Sequence, residues 1–100
     1  MNAEKIGFVG LGRMGLRMAL RLIDSYPVYG TDTAVSLKQS VREKGINWVD
    51  DSRSLARICR HIFVVAGTEN DVTEIIFGER GLVSGIDSDT TIELILIELI

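Results

Sequence analysis

Short apolar runs alternate along this chain with segments in which apolar residues recur every three or four positions. Residues 5–9, Lys-Ile-Gly-Phe-Val, read as a short buried strand. Residues 14–23 (Met-Gly-Leu-Arg-Met-Ala-Leu-Arg-Leu-Ile) read as a helix of good helix formers, with Arg17 and Arg21 four apart. Pro27-Val28-Tyr29-Gly30-Thr31-Asp32 reads as a second short strand ending in an acid. Residues 34–44 place Val35, Leu37 and Val41 among polar residues, a modest helical signal that Gly45 can end. Ile46–Val49 is a short strand, and Asp51 or Ser52 can cap a helix over Arg53–Cys59. His61–Ala66 is the clearest buried strand, an apolar run suited to the centre of a parallel sheet. Asn70–Phe77 predicts a helix with Val72, Ile75 and Ile76 on one side. A glycine-punctuated turn from Gly78 to Gly85 then precedes Thr90-Thr91-Ile92. Strands alternating with helices at these lengths predict an α/β fold around a parallel sheet with right-handed crossovers.

Between the first strand and the first helix stands Gly10-Leu11-Gly12-Arg13-Met14-Gly15, a G-x-G-x-x-G motif. In that setting Gly10 can make the tight turn, Gly12 lets a phosphate approach the backbone, and Gly15 lets helix and strand pack closely. The helix start offers free N–H groups and a positive dipole end to a pyrophosphate. Glycine supplies 10 of the 100 residues, so the motif alone is weak evidence. The dinucleotide fingerprint also asks for a preceding strand, a following helix, and an acid about 20 residues on after a second strand. Asp32 meets the last condition, so the fold expected is a Rossmann-type doubly wound sheet, incomplete at its C-terminus.

Asp32 is placed to accept hydrogen bonds from the adenosine ribose hydroxyls, which disfavours a 2′-phosphate there. Asp32 or Thr33 can also cap the following helix, and the two roles can coexist. No arginine directly follows Asp32, since Thr33 and Ala34 come next. NAD is therefore expected over NADP.

Composition narrows the class. A formal net charge of −3 and an acidic balance argue against a nucleic-acid surface. A single cysteine, Cys59, excludes an internal disulfide and a cysteine-rich metal site, and is expected to pack as a small hydrophobe. The polar start Met1-Asn2-Ala3-Glu4 is unlike a signal peptide, so a cytoplasmic location is the expectation. His61 has no Cys or acidic partner at ligand spacing, and a structural role is expected for it and for Trp48. No metal site and no membrane span are expected.

The run from Ile6 to Gly15, with Met18-Ala19 on the next turn, resembles the N-terminus of the β-hydroxyacid dehydrogenases. That family includes 3-hydroxyisobutyrate dehydrogenase and L-threonate dehydrogenase, with 6-phosphogluconate dehydrogenase as a relative. Val28–Asp32 resembles the family's second strand, Ile62–Val65 its fourth, and Ile75-Ile76-Phe77-Gly78-Glu79-Arg80-Gly81-Leu82 the segment before its fifth. The resemblance implies that the amides of Leu11 to Met14 contact the pyrophosphate and that Asp32 takes the adenosine ribose. It also implies that Ala66-Gly67-Thr68 lies near the pyrophosphate and the nicotinamide-side ribose, with Val72 toward the adenine. Family members commonly carry Leu-Pro or Val-Asn where Gly67-Thr68 stands here.

The resemblance ends near residue 92, which would make residues 1–92 the dinucleotide-binding domain and 93–100 a divergent apolar tail. The tail, Glu93-Leu94-Ile95-Leu96-Ile97-Glu98-Leu99-Ile100, lacks the Ser-Thr-rich loop ending in Pro that the family continues with. It reads either as a fifth strand or as an altered or truncated end, the latter being the expectation, and it invites self-association at a sheet edge. The family's catalytic lysine, on a separate helical domain, has no counterpart here, so no catalytic residue is assigned. Two functions stay open: the cofactor half of an oxidoreductase that moves hydride to or from a small 3-hydroxyacid, or a binding-only fragment without turnover.

Overall fold

The structure is a computed structural model that describes residues 4–97. Five strands form one parallel sheet: β1 (Ile6–Val9), β2 (Val28–Thr31), β3 (Asn47–Trp48), β4 (His61–Ala66) and β5 (Thr91–Leu96), in the order β3-β2-β1-β4-β5. Four helices connect them: α1 (Arg13–Leu22), α2 (Lys38–Glu43), α3 (Ser52–Ile58) and α4 (Glu69–Phe77). The order reverses at β1, which pairs with β2 on one side and β4 on the other. That reversal creates the crevice at which doubly wound folds hold ligands.

Alternation along the strands divides the core into two layers. Ile6, Phe8, Val28 and Val65 face α1 and α2, where Ala19, Val41 and Leu11 are buried. Val9, Ile62, Val64 and Ala66 face the other way, against Leu55, Cys59 and Leu82, with Val72, Ile75 and Ile76 of α4 packed on them. Helices on both faces are what a parallel sheet requires. Gly7 sits under α3 because a Cβ there would lie 3.2 Å from Leu55 and Cys59. Burial pushes the Cys59 thiol up to about 12 against a smaller downward pull from Lys5, so the residue behaves as the expected small hydrophobe. Trp48 is half-buried against the α1–α2 layer.

The differences from the sequence expectations lie at element ends. The 34–44 segment is a 3-10 turn at Val35–Leu37 followed by the short α2, whose core contact is Val41. Gly45 ends it at φ +96°, the left-handed conformation that suits glycine. Asp51, rather than Ser52, caps α3 by accepting from the Ser54 amide at 2.8 Å. The boundary expected at residue 92 falls inside β5. Residues 93–96 continue the strand, paired with β4 from His61 opposite Thr91 to Ala66 opposite Leu96. The fifth-strand alternative therefore describes the tail as far as Leu96, because Ile92 and Ile95 supply the inward contacts that hold a strand on β4. Residues 98–100 lie outside the described residues. Among the described residues no helix is long and apolar enough to cross a membrane.

Candidate dinucleotide-binding site

The glycine loop is built from backbone contacts that leave no room for side chains. Gly10 adopts φ +99°, and a Cβ there would meet the Val65 carbonyl oxygen of β4 at 2.2 Å. A Cβ at Gly15 would meet the Gly10 carbonyl oxygen at 2.0 Å. These two glycines serve the turn and the helix–strand contact as the motif implies. Gly12 differs. It has an ordinary φ of −70°, and nothing lies within 4 Å of a Cβ built on it.

Gly12 is also the N-cap of α1, and no side chain caps that helix. Helices α3 and α4 are capped, by Asp51 and by Thr68, whose hydroxyl accepts from the Asp71 amide at 3.1 Å. The first-turn amides of α1 have no intrahelical acceptors, and the space beside the N-cap Gly12 is open.

Asp32 follows β2 and binds back to the loop. Its Oδ2 accepts from the Leu11 amide at 2.7 Å and its Oδ1 from the Ala34 amide at 2.8 Å. The carboxylate therefore makes the capping-type turn into residue 34 while also holding the glycine loop. Of the amides expected to face a pyrophosphate, that of Leu11 is already bonded to this acid, while its side chain is buried under Gly30.

Two clefts flank the loop. The first, of about 410 Å³, lies where β1, β2 and β4 end, and is lined by Gly10, Asp32, Ala66 and Gly67 among the expected residues. Its walls add Asp51, Asp71, Glu74 and Arg80, which sequence reasoning missed. Asp51 was legible only as a helix cap, and nothing local marks the others as neighbours of Asp32. Hydrogen bonding from the Ser54 amide, chiefly, and the nearby Arg80 and Arg53 charges hold the Asp51 carboxyl below the usual range. The Arg80 guanidinium stands 3.7 Å from Asp51.

The second cleft, of about 450 Å³, is lined by Arg13, Met14, Arg17, Gly67 and Ile97. Gly67 belongs to both clefts, so the two meet over the end of β4. Thr68 is engaged in capping α4, and Val72 packs on the core while its helix neighbours Asp71 and Ile75 line the first cleft. His61 sits at the opposite end of β4, stacked on Phe63 and within 4 Å of Glu4 and Glu93. Among the described residues no group of three or more His, Cys, Asp or Glu is placed to hold a metal.

The family model of the NAD binding domain of 6-phosphogluconate dehydrogenase matches residues 5–94. An uncharacterized oxidoreductase of Bacillus subtilis, YkwC, is 34% identical over 81 residues, which cover 80% of this chain and 28% of that protein. A probable 3-hydroxyisobutyrate dehydrogenase-like protein of Arabidopsis thaliana is 29% identical over 85% of this chain and 27% of its own length. The chain thus spans under a third of these relatives. Among solved structures, Psf3 in complex with NADP+ and 2-OPP superposes with a TM-score of 0.81 at 27% identity, covering 89% of this chain and 32% of Psf3. The 3-hydroxyisobutyrate dehydrogenase of Salmonella typhimurium shares the fold, with a TM-score of 0.80 at 17% identity over 91% of this chain and 32% of its own. The chain belongs to the family of the NAD binding domain of 6-phosphogluconate dehydrogenase, as an NAD(P)-binding domain of the β-hydroxyacid dehydrogenase type.

Proposed function

We propose that this domain binds NAD across the glycine loop, with adenosine in the first cleft and nicotinamide toward the second. Gly12 carries the proposal. It is open, uncapped and free of any packing demand for glycine, at the point where a pyrophosphate would meet the free amides of α1. The ribose hydroxyls would donate to Asp32, whose carboxylate keeps lone pairs beyond its two backbone bonds.

The preference for NAD over NADP rests on charge. Psf3 holds NADP+, but in this chain four carboxylates, Asp32, Asp51, Asp71 and Glu74, line the adenosine cleft. The single cation there, Arg80, stands beside Asp51. A 2′-phosphate would bring about two further negative charges against that wall.

In the longer relatives' setting we propose that such a domain serves hydride transfer between nicotinamide and a small 3-hydroxyacid. The chain by itself is proposed to bind without turnover. Among the described residues two arginines are the only titratable groups lining the second cleft, and arginine does not exchange protons near neutrality. Fluorescence titration with NADH and NADPH tests both points. Saturable NADH binding with weaker NADPH binding is expected. Absent NADH binding overturns the cofactor reading, and equal NADPH affinity overturns the charge argument.

A further inference from the structure

The first cleft runs along the ends of three neighbouring strands in order. The glycine loop follows β1, Asp32 follows β2, and Asp51 lies just beyond β3, which pairs with β2 through Tyr29 opposite Asn47 and Gly30 opposite Trp48. A dinucleotide with its pyrophosphate at the loop and its ribose at Asp32 therefore carries its base onward to Asp51. The Asp51 side chain is 19% exposed, and its Oδ1 is fixed by the Ser54 amide. Its Oδ2 stands 3.7 Å from the Arg80 guanidinium, beyond hydrogen-bond length, and keeps lone pairs for a donor in the cleft. Arg80 arrives from the turn after α4, where the Arg53 amide of α3 donates to its carbonyl oxygen at 2.9 Å. Its side chain is largely exposed, which leaves guanidinium N–H groups available beside the acid. The other acids of the cleft are engaged elsewhere. Asp32 accepts from two backbone amides, and Asp71 offsets the positive end of α4 from its first turn. Glu74 folds its carboxylate back over Gly78 at the end of the same helix.

We propose that Asp51 and Arg80 read the edge of the adenine base, Asp51 accepting from its N6 amino group and Arg80 donating to an adjacent ring nitrogen. This rests on the cofactor reading and deepens it, because it makes the site selective for the base as well as for the ribose. Adenine presents a donor beside a ring acceptor, and an acceptor standing next to a donor complements that edge. A purine with a carbonyl oxygen at position 6 would turn lone pairs toward the Asp51 carboxylate, leaving both groups without a proton to share. Ile75 lines the same cleft and supplies apolar surface for the flat face of the ring.

Fluorescence titration of the full chain with NADH and with reduced nicotinamide hypoxanthine dinucleotide tests this, since hypoxanthine carries that carbonyl oxygen in place of the amino group. NADH is expected to bind about ten-fold more tightly, the difference that one charge-assisted hydrogen bond makes. Asp51→Asn can still cap α3 through its amide oxygen, which turns the amide N–H groups toward the base. It should bring the two affinities together, weakening NADH and strengthening the hypoxanthine analogue. A purely structural Asp51 would weaken both alike and leave their ratio unchanged. Asp89→Asn removes a carboxylate that pairs with Arg60 outside the cleft, and should leave both titrations as they are. Equal affinities in the wild-type chain, or an unchanged ratio in Asp51→Asn, overturn the base reading while the cofactor reading stands. If neither dinucleotide binds, both readings fall.

Discussion

The backbone amide of Leu11 donates a 2.7 Å hydrogen bond to Oδ2 of Asp32, twenty-one residues further along the chain. The acid at the end of one strand therefore holds the glycine loop that follows another. Asp32→Ala removes the acceptor from two amides at once. It is expected to lower stability by about 1–2 kcal/mol and to weaken NADH binding by about ten-fold or more. Thermal unfolding and NADH titration of one preparation measure both. A variant that keeps full NADH affinity would deny Asp32 its ribose role.

Two glycines of the same loop should fail in different ways. Gly10→Ala puts a Cβ at 2.2 Å from the Val65 carbonyl oxygen in a left-handed conformation, and should cost roughly 3 kcal/mol or more. Gly12→Ala meets nothing in the protein and should change stability by less than about 1 kcal/mol. Its NADH affinity should nonetheless drop about ten-fold, because the methyl group occupies the pyrophosphate's approach. Unchanged binding in Gly12→Ala would remove the observation on which the cofactor reading stands.

Acid should loosen the cap of α3. Asp51 has a lowered folded-state pKa, chiefly from the Ser54 amide bond, so its contribution is present above the unfolded value of 3.8 and is lost as pH falls through the folded one. Stability should decline from about pH 4 downward, and Asp51→Asn, which still caps, should flatten that decline. Chemical denaturation at several pH values reads the slope. An identical slope in the variant would show that other carboxylates govern acid unfolding.

These outcomes bear on how much of the molecule its sequence discloses. His61–Ala66 was fully legible because five consecutive apolar residues belong inside such a sheet, and β4 lies between β1 and β5. Gly10, Gly12 and Asp32 were legible because a spaced motif encodes a local chain path, whereas Gly67 was legible only through the family resemblance. Asp71, Glu74 and Arg80 were not, since their closeness to Asp32 arises only when α4 packs on the sheet. The Leu11–Asp32 bond was not legible either, because it forms only once β1 and β2 lie side by side. Residues 93–96 fit neither a clean strand nor a clean helix pattern, and their pairing partner β4 decided between the two.

Strand β5 also presents an outer rim that no strand pairs among the described residues. Glu93 is its sole charge, no proline or lysine guards it, and Leu94 is 52% exposed. Concentration-dependent self-association is expected through this edge, and Leu94→Lys should suppress it with little change in unfolding temperature. Sedimentation velocity over a hundred-fold range, about micromolar to a tenth millimolar, checks it. A wild-type chain that stays monomeric throughout would dismiss the edge as a contact.

Where Gly10, Gly15 and Val65 meet, three stretches of main chain touch with nothing between them. Such a junction offers no dial. A side chain added at Gly10 or Gly15 runs into main chain, so ligand preference has no gradual route through these two glycines. Adjustment must instead come from the periphery, at positions such as Thr33, Arg80 and Arg17, where a side chain can lengthen, shorten or change sign without disturbing its supports. The rigid junction makes those rim residues the place where relatives of this domain can diverge in what they hold.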